Sequence, residues 1–153
     1  MNKILITGAS GLIGTRLTEM LVEQGHEVSH LGRTKKTGKV PSFVWDVDLG
    51  IMDEEAIKDV DTVIHLAGAG VADQRWTEKR KREILESRTK STALLAHYLK
   101  QDQNVKTVVS ASAIGYYGFG LDDAEFTEES NPGNDFLANV VKAWEGEVDK
   151  IQN

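Results

Sequence analysis

The sequence predicts an α/β protein in which helices cover both faces of a doubly wound parallel sheet, in three α/β/α layers. Two observations support this fold class. Short apolar segments alternate with longer segments whose apolar residues recur at helical spacing, and a glycine-rich turn joins the first strand to the first helix. A chain of 153 residues is long enough for a single domain with a substantial core. We therefore expect one domain, residues 1–153.

Strand and helix patterns follow one another along the chain. Strands are predicted at residues 4–7, 27–31, 43–45, 62–66 and 105–110, and helices at residues 12–24, 53–58, 77–99 and from Asp135 onward. Asp53 and Thr77 are residue types that cap helix N-termini, and residues 34–39 are polar and predict a loop. The last helix should cross over to a sixth strand, which does not follow. We therefore expect either a minimal fold or a piece of a longer protein.

Composition and charge exclude several classes of function. Acidic residues outnumber basic residues by 24 to 18, a net charge of −6, so binding to a nucleic acid would gain nothing from counterion release. The basic run at residues 79–82 lies in a helical pattern and is expected to be a solvated helix face. The sequence has no cysteine, no signal-peptide pattern and no apolar run near the ~18 residues of a membrane span. We expect a cytoplasmic protein without nucleic-acid, membrane or metal partners.

The turn after the first strand carries glycines at positions 8, 11 and 14. Gly8 permits a tight turn, Gly11 lets backbone N–H groups approach a pyrophosphate, and Gly14 lets the helix pack closely on the strand. The N–H groups at the helix N-terminus would then face the phosphates. The turn predicts a Rossmann-type dinucleotide site whose contacts come from Gly8, Ser10, Gly11, Leu12, Ile13 and Gly14. The alternative is an ordinary strand-to-helix turn.

Several motifs resemble those of the extended short-chain dehydrogenase/reductase superfamily. They are TGASGLIG at residues 7–14, HLAGA at 65–69 and SASAIGYYG at 110–118. Arg75-Trp76, Glu83 and Glu86-Ser-Arg88 are similar to an atypical branch, usually described as NAD-dependent epimerase/dehydratase-like or as a sugar-nucleotide epimerase family. Such proteins are about twice this long and add a small substrate domain, so the resemblance implies that this chain is the cofactor-binding half, without that domain.

The segment after the second strand bears on the choice of cofactor. An NAD site places an acidic residue there to bind the ribose 2′-hydroxyl, whereas this chain has Gly32 and Arg33, followed by Lys35 and Lys36. A guanidinium can hold a 2′-phosphate with paired hydrogen bonds. We therefore favour NADP over NAD, with Arg33 as the main contact and Lys35 or Lys36 as a helper. The alternative is a solvated loop that happens to be basic.

Other candidate cofactor contacts follow the third and fourth predicted strands. Asp46 lies where the superfamily holds the adenine edge, although an ordinary turn aspartate is the alternative. Leu66, Ala67 and Gly68 are apolar or small, as a backbone running beside a ribose requires. His65 precedes them, and a lone histidine at a strand end is more often packed or hydrogen-bonded than catalytic.

The long central helix carries Glu83 and Arg88, and Arg88 lies where many relatives have asparagine. The resemblance implies that both residues reach the cofactor or organise the site. The alternative is an ion pair on a solvated helix face. The same helix resembles one that such proteins pair in dimers, so a homodimer is expected.

The family's catalytic pattern is incomplete in this chain. The resemblance implies a tyrosine that exchanges the substrate proton and a lysine four residues later on the same helix face. Lys142 occupies the lysine position, but the tyrosine position is Ala138, which has no proton to exchange. Tyr116 or Tyr117, after the last strand, is the candidate replacement, and the alternative for each tyrosine is packing.

The strand-end serine of the family, which orients the substrate oxygen, has two candidate registers. Counting back four residues from Tyr116 gives Ser112, whereas counting back from Tyr117 gives Ala113, and Ser112 is favoured. Residues 122–129 are acidic and predict a solvated rim of the site.

Together with these residues, the resemblance implies the NADP(H)-binding domain of an epimerase or reductase that acts on a small polar substrate, such as a sugar nucleotide. The alternative is a non-catalytic NADP-binding sensor or interaction module. In either case we expect this chain to be inactive alone, because no residues remain to cover the nicotinamide.

Overall fold

A computed structural model describes residues 1–101, 104–120 and 125–151. The strands are β1 (Lys3–Thr7), β2 (Glu27–Gly32), β3 (Ser42–Asp46), β4 (Ile51–Met52), β5 (Thr62–His65) and β6 (Thr107–Ser110). The helices are α1 (Leu12–Glu23), α2 (Glu78–Leu99) and α3 (Phe136–Val148), and single turns of 3₁₀ helix lie at Glu54–Ala56 and Ile114–Tyr117.

The sheet has six strands in the order β4-β3-β2-β1-β5-β6. Neighbouring strands from β3 to β6 in that order run parallel, and β4 joins the edge antiparallel to β3. The chain therefore starts in the middle of the sheet and builds outward on each side in turn, which is the predicted doubly wound arrangement.

Two elements differ from the sequence-based expectation. Strand β4 was not predicted, because two residues cannot show the alternation by which a strand is recognised. The helix expected at residues 53–58 is a single 3₁₀ turn at Glu54–Ala56, capped by the Asp53 side chain. The N-cap expected at Thr77 is present, since its side chain accepts from the N–H of Arg80. Asp135, from which the last helix was expected to begin, caps α3 by accepting from the N–H of Ala138.

Alternate residues of the strands point to opposite faces of the sheet and form two cores. On one face, Ile4, Ile6 and Val28 pack with Leu17 and Leu21 of α1. The other face is larger and packs beneath α2. Its buried residues include Leu5, Leu31, Trp45, Val63, Leu94, Leu95 and Leu99. Helices cover both faces, which confirms the three-layer prediction.

The strand register brings four chain segments to one edge of the sheet. Thr7 pairs with Leu31 of β2 and with His65 of β5, and His65 in turn pairs with Ser110 of β6. Because parallel strands end at the same edge, the segments that begin at Gly8, Gly32, Leu66 and Ala111 lie side by side there. This carboxyl edge is where open α/β sheets bind ligands.

Within the described ranges, none of the helices combines the length and the apolar character that a membrane span requires.

Candidate functional site

The glycine turn closes tightly against its neighbours. Gly8 has φ +67°, and a Cβ there would lie 2.7 Å from the carbonyl carbon of Leu66. A Cβ on Gly14 would lie 2.6 Å from Cα of Ala9. Gly11 is less constrained, because its Cβ would lie 3.4 Å from the oxygen of Gly8. Two of the three glycines are therefore sterically required, as the predicted dinucleotide turn demands.

The N-terminus of α1 is open to solvent. Gly11 is the N-cap, and among the described residues no side chain caps it and no acidic residue lies in the first turn. Leu12 and Ile13 are exposed, at 90% and 68% of their surface, as is Ser10. The free N–H groups and the positive end of the helix dipole together favour an anion at this position.

The loop after β2 presents exposed cations at the same edge. Arg33 follows Gly32 directly, and Lys35 and Lys36 are also exposed. Within the part of the chain that the structure describes, the Arg33 guanidinium has neither a hydrogen bond nor an ion pair. This group is therefore available to a ligand.

Asp46 is used by its own turn. One carboxylate oxygen accepts hydrogen bonds from the N–H groups of Asp48 (3.0 Å) and Leu49 (2.9 Å). This is the pattern of a turn aspartate, the alternative given to the adenine contact. The second carboxylate oxygen of Asp46 could accept a hydrogen bond from a base.

The segment after β5 is held by Thr7. Its hydroxyl oxygen accepts from the N–H of Leu66 (3.1 Å) and from the N–H of Ala67 (3.2 Å). Gly68, which follows, lies at the surface of the carboxyl edge. Residues 66–68 thus form a wall beside the glycine turn, where the sequence predicts the ribose contacts.

His65 is a buried, hydrogen-bonded residue. Its side chain has no exposed surface and lies between the hydroxyls of Thr7 (2.7 Å from Nδ1) and Thr92 (3.0 Å from Nε2). Burial lowers the pKa of the His65 imidazole from 6.5 to about 4, so the ring is neutral at physiological pH. This placement matches the packed role expected for a lone histidine at a strand end.

Arg88 and Glu83 do not pair with each other. The Nη1 of Arg88 donates to the carbonyl oxygens of Ala69 and Ile84, both at 3.0 Å, and its guanidinium lies 5.3 Å from the Trp144 ring centroid. Burial, and then the charge of Arg80, lower the pKa of Arg88. Arg88 therefore organises the segment after Gly68, which is one of the two roles that the resemblance implies.

Arg80 is a residue that the sequence analysis placed wrongly. It belongs to the basic run expected to be solvated, yet it is only 6% exposed, while Lys79 and Arg82 are exposed. Its guanidinium donates to the carbonyl of Gly70 and pairs with Glu83 at 2.8 Å and Asp73 at 3.6 Å. The available signal was spacing: Arg80 lies four residues before the buried Ile84, on the same helix face.

The catalytic candidates after β6 line an open cleft of about 550 Å³, together with Glu128 and Glu145. Ser112 Oγ donates to Glu145 at 2.5 Å. The rings of Tyr116 and Tyr117 are nearly perpendicular, with centroids 5.2 Å apart. The structure therefore brings Ser112 and both tyrosines into one cleft. Of the predicted acidic rim, residues 122–124 lie outside the described residues.

Glu145 was not identified from the sequence as a site residue. It lies 33 residues beyond Ser112, and a spacing of that size carries no local pattern. Only the packing of α3 beside the segment after β6 brings the two side chains together.

Lys142 and Ala138, which the resemblance aligns with the family's lysine and tyrosine, both lie in α3. Ala138 is fully buried in the first turn of α3. The Nζ of Lys142 donates to the carbonyl of Gly133 at 3.1 Å, and the N–H of Gly133 donates to the carbonyl of Tyr116 at 2.8 Å. Lys142 thus supports the tyrosine turn through Gly133.

Asp135 ties the start of α3 to the same turn. Its carboxylate accepts from the N–H of Ala138 and from the N–H of Phe119, both at 2.9 Å. These two backbone bonds, that to Ala138 being the stronger cause, lower the pKa of Asp135. Among the described residues, no group of three or more histidine, aspartate or glutamate side chains could hold a metal ion.

Comparison with known proteins finds similar proteins in the epimerase family. A curated relative, "Epimerase family protein YfhF" of Bacillus subtilis, is 37% identical over 153 residues, which is 97% of this chain and 50% of that protein. A crystal structure of the human epimerase family protein SDR39U1 with NADPH matches 95% of this chain and 48% of its own, with 32% identity and a TM-score of 0.80.

A structure of MoeE5 in complex with UDP-glucose and NAD is 28% identical over 95% of this chain and 48% of its own, with a TM-score of 0.78. The chain therefore spans about half the length of the proteins it matches.

A family model covers most of the chain, including the glycine turn, the 65–69 segment and the tyrosine turn. It is described as the NAD dependent epimerase/dehydratase family and matches residues 4–139. The fold, the glycine turn and this match agree, and the chain belongs to the NAD dependent epimerase/dehydratase family.

Proposed function

We propose that this chain is the NADP(H)-binding domain of an epimerase or reductase acting on a small polar substrate of the sugar-nucleotide class. One observation carries the proposal: the closed glycine turn of Gly8 and Gly14 and the Arg33 guanidinium, which is unpaired among the described residues, follow neighbouring strands at one edge of the sheet. The first feature suits a pyrophosphate, and the second suits a further phosphate about one strand away.

The pyrophosphate would be held mainly by backbone. Ser10, Gly11, Leu12 and Ile13 lie at the open N-terminus of α1, where the N–H groups of the first turn and the helix dipole favour negative charge, although the N–H of Gly11 already donates to the carbonyl of Gly8 at 3.1 Å. Because the turn is sterically closed at Gly8 and Gly14, this backbone would lie close enough to a pyrophosphate to hold it. The exposed side chains of Leu12 and Ile13 leave the N–H groups unobstructed by polar competitors.

The preference for NADP rests on Arg33. A guanidinium donates two parallel hydrogen bonds to a phosphate, whereas a ribose hydroxyl gains little from it. The known structures compared above include one with NADPH and one with NAD, so the preference comes from this chain's own residues. Lys35 would add long-range attraction, because it is exposed in the same loop.

The remaining cofactor contacts would come from the other strand ends. Leu66, Ala67 and Gly68 would flank a ribose, and Asp46 would accept from adenine with its second carboxylate oxygen. Glu83 and Arg88 act through the segment after Gly68: Glu83 neutralises Arg80, and Arg88 holds the carbonyl of Ala69.

The catalytic part of the proposal concerns the cleft after β6. Ser112 would orient a substrate oxygen, and the hydroxyl of Tyr116 or Tyr117 would exchange its proton. Lys142 would keep the tyrosine turn in place through Gly133. A bound nicotinamide would supply the hydride acceptor or donor.

A second candidate function is a non-catalytic NADP(H) sensor, and Ala138 favours it. This side chain is fully buried and carries no titratable group at the position where the family pattern places a tyrosine. The glycine turn and Arg33 serve this candidate equally well, so cofactor binding is common to both.

The chain spans about half of its relatives' length, so substrate binding and turnover are proposed for the whole protein. We propose that residues 1–153 alone show no turnover. Pairing of α2 between two copies is proposed as the basis of a homodimer, which light scattering of the purified chain would test.

Titration calorimetry with NADPH and NADH tests the cofactor proposal. Wild-type protein should bind NADPH at least tenfold more tightly than NADH. Arg33→Ala should abolish the difference by weakening NADPH alone, since NADH has no 2′-phosphate. Arg82→Ala is the matched control, because Arg82 is an exposed arginine near the start of α2 and outside the loop that carries Arg33.

Equal affinity for the two cofactors in wild-type protein would overturn the assignment of Arg33. Failure to bind either cofactor would overturn the dinucleotide proposal itself.

A further inference from the structure

We infer that His65 and Thr92 are positioning residues for dinucleotide binding: with Thr7 they form a hydrogen-bond chain from helix α2 that holds the wall beside the glycine turn. The inference deepens the proposed function and rests on it for its effect on affinity. The chain itself is built from buried groups, since the side chains of Thr7, His65 and Thr92 have no exposed surface.

The direction of this chain follows from the hydroxyl of Thr7. Its oxygen accepts two backbone hydrogen bonds, one from the N–H of Ala67 and one from the N–H of Leu66, which is shared with the carbonyl of Thr7 at 3.2 Å. A hydroxyl has two acceptor lone pairs and one proton. With both lone pairs used, the hydroxyl must donate its proton to Nδ1 of His65, which lies 2.7 Å away.

The remaining bonds follow from that donation. Because Nδ1 of His65 accepts, a neutral ring carries its proton on Nε2 and donates it to Thr92 Oγ1 at 3.0 Å. The hydroxyl of Thr92 then donates to the carbonyl of Arg88, 2.7 Å away in the preceding turn of α2. Ser91 Oγ is farther from Nε2, at 3.4 Å, and donates instead to the carbonyl of Ser87.

The same helix holds the far end of the wall. Ser87 Oγ accepts from the N–H of Ala69 at 3.0 Å, and the Arg88 side chain donates to its carbonyl. Residues 66–69 are therefore fixed to α2 at both ends, through His65 at the start and through Arg88 at the end.

This position matters because the wall touches the glycine turn. A Cβ at Gly8 would lie 2.7 Å from the carbonyl carbon of Leu66 and 2.8 Å from the nitrogen of Ala67. A shift of the wall by a few tenths of an ångström would move the surface against which Gly8 closes. The position of the proposed phosphate turn therefore depends on the buried His65 through the amide groups of Leu66 and Ala67.

Three variants of helix α2 test the inference. Thr92→Val keeps the shape of the side chain but removes the hydroxyl that receives the His65 proton. Thr92→Ser restores that hydroxyl. Thr89→Val is the matched control, because Thr89 makes the same type of bond, to the carbonyl of Leu85, and has no contact with His65 among the described residues.

The direct readout is amide hydrogen exchange of Ala67, whose N–H donates to the Thr7 hydroxyl. Thr92→Val should speed this exchange at least tenfold and weaken NADPH binding about tenfold, with the amides of β1 unchanged. Thr92→Ser should stay within about twofold of wild type in both measurements, and Thr89→Val should match wild type. Wild-type exchange of Ala67 in Thr92→Val, or equal acceleration throughout β1 and β5, would overturn the inference.

Two features keep the test decisive. If Thr92→Val does not fold, ¹⁵N NMR of wild-type His65 decides, because the chain requires the proton on Nε2, and a proton on Nδ1 contradicts it. If wild-type protein binds no NADPH, the proposed function fails. The amide exchange of Ala67 still tests whether His65 and Thr92 position the wall.

Discussion

The Nζ of Lys142 lies 3.1 Å from the carbonyl oxygen of Gly133, and the N–H of Gly133 lies 2.8 Å from the carbonyl oxygen of Tyr116. The lysine at the family's catalytic position is therefore a brace for the turn that carries both cleft tyrosines. A Cβ on Gly133 would lie 2.7 Å from Gly118, so the two segments are packed backbone against backbone. Lys142 therefore supports the tyrosine turn through the Gly133 segment that packs against it.

Lys142→Met should loosen this brace. Removing a charge-assisted hydrogen bond to a half-buried carbonyl should lower the free energy of unfolding by about 1 kcal/mol. Amide exchange at Gly133 should also accelerate. Urea unfolding measures the first effect. Lys150→Met is the matched control, because Lys150 is exposed and its pair with Glu147 should contribute less than about 0.5 kcal/mol. An equal loss in the two variants would contradict the brace.

Gly14→Ala should damage both stability and cofactor binding. Its Cβ would lie 2.6 Å from backbone of Ala9, so the glycine turn must move. We expect a loss of about 2 kcal/mol in the free energy of unfolding and at least tenfold weaker NADPH binding. Thermal unfolding and calorimetry measure the two effects.

Gly146→Ala is the control for that substitution. Gly146 is also helical, and a Cβ there meets nothing within 4 Å, so the variant should gain about 0.5–1 kcal/mol from helix propensity. Wild-type NADPH affinity in Gly14→Ala would show that the turn is not a cofactor site.

Stability should fall on mild acidification because of His65. Its pKa is about 4 in the folded protein, where the buried ring is neutral, and 6.5 when exposed. Between these values the unfolded state binds the extra proton, so the free energy of unfolding decreases as the pH falls from 6.5 to 4. This difference between the two pKa values corresponds to a loss of about 3 kcal/mol in the free energy of unfolding.

Urea unfolding at a series of pH values measures that loss. His30 contributes in the same direction, because burial, and then the charge of Lys36, lower its pKa. His30→Gln should therefore retain most of the loss between pH 6.5 and 4. Removal of the whole loss by His30→Gln would contradict the role given to His65.

Arg80→Met should release the segment that carries Gly70 and Asp73. The variant loses the bond to the Gly70 carbonyl and two ion pairs, although the carboxylates of Asp73 and Glu83 can be solvated again because both are more than half exposed. We expect the free energy of unfolding to fall by about 2 kcal/mol. Arg82→Met, on the exposed face, should change it by less than about 0.5 kcal/mol. Circular dichroism melts would compare the two, and similar melts would exclude a structural role for Arg80.

Local patterns predicted most elements because each has a local cause. The period of apolar residues marks α1 and α3, and the caps at Thr77 and Asp135 mark helix starts. Strand β4 escaped prediction because it exists through its pairing with β3: Trp45 faces Met52, and Asp46 faces Ile51. Arg80 was misplaced for a related reason, since a charged residue is buried only where a fold supplies partners such as the Gly70 carbonyl and Glu83.

The sequence by itself determined the sheet fold, the family and the glycine turn, because glycine spacing and hydrophobic period are local properties of the chain. The candidate position of Arg33 also came from local order along the chain, whereas those of Ser112 and Lys142 came from the resemblance of local motifs to the family pattern. Tertiary structure alone decided which residues bind the side chains of the site: Glu145 for Ser112, Gly133 for Lys142, and Thr92 for His65. These pairs are separated by 33, 9 and 27 residues, and a contact between elements depends on how the helices pack on the sheet.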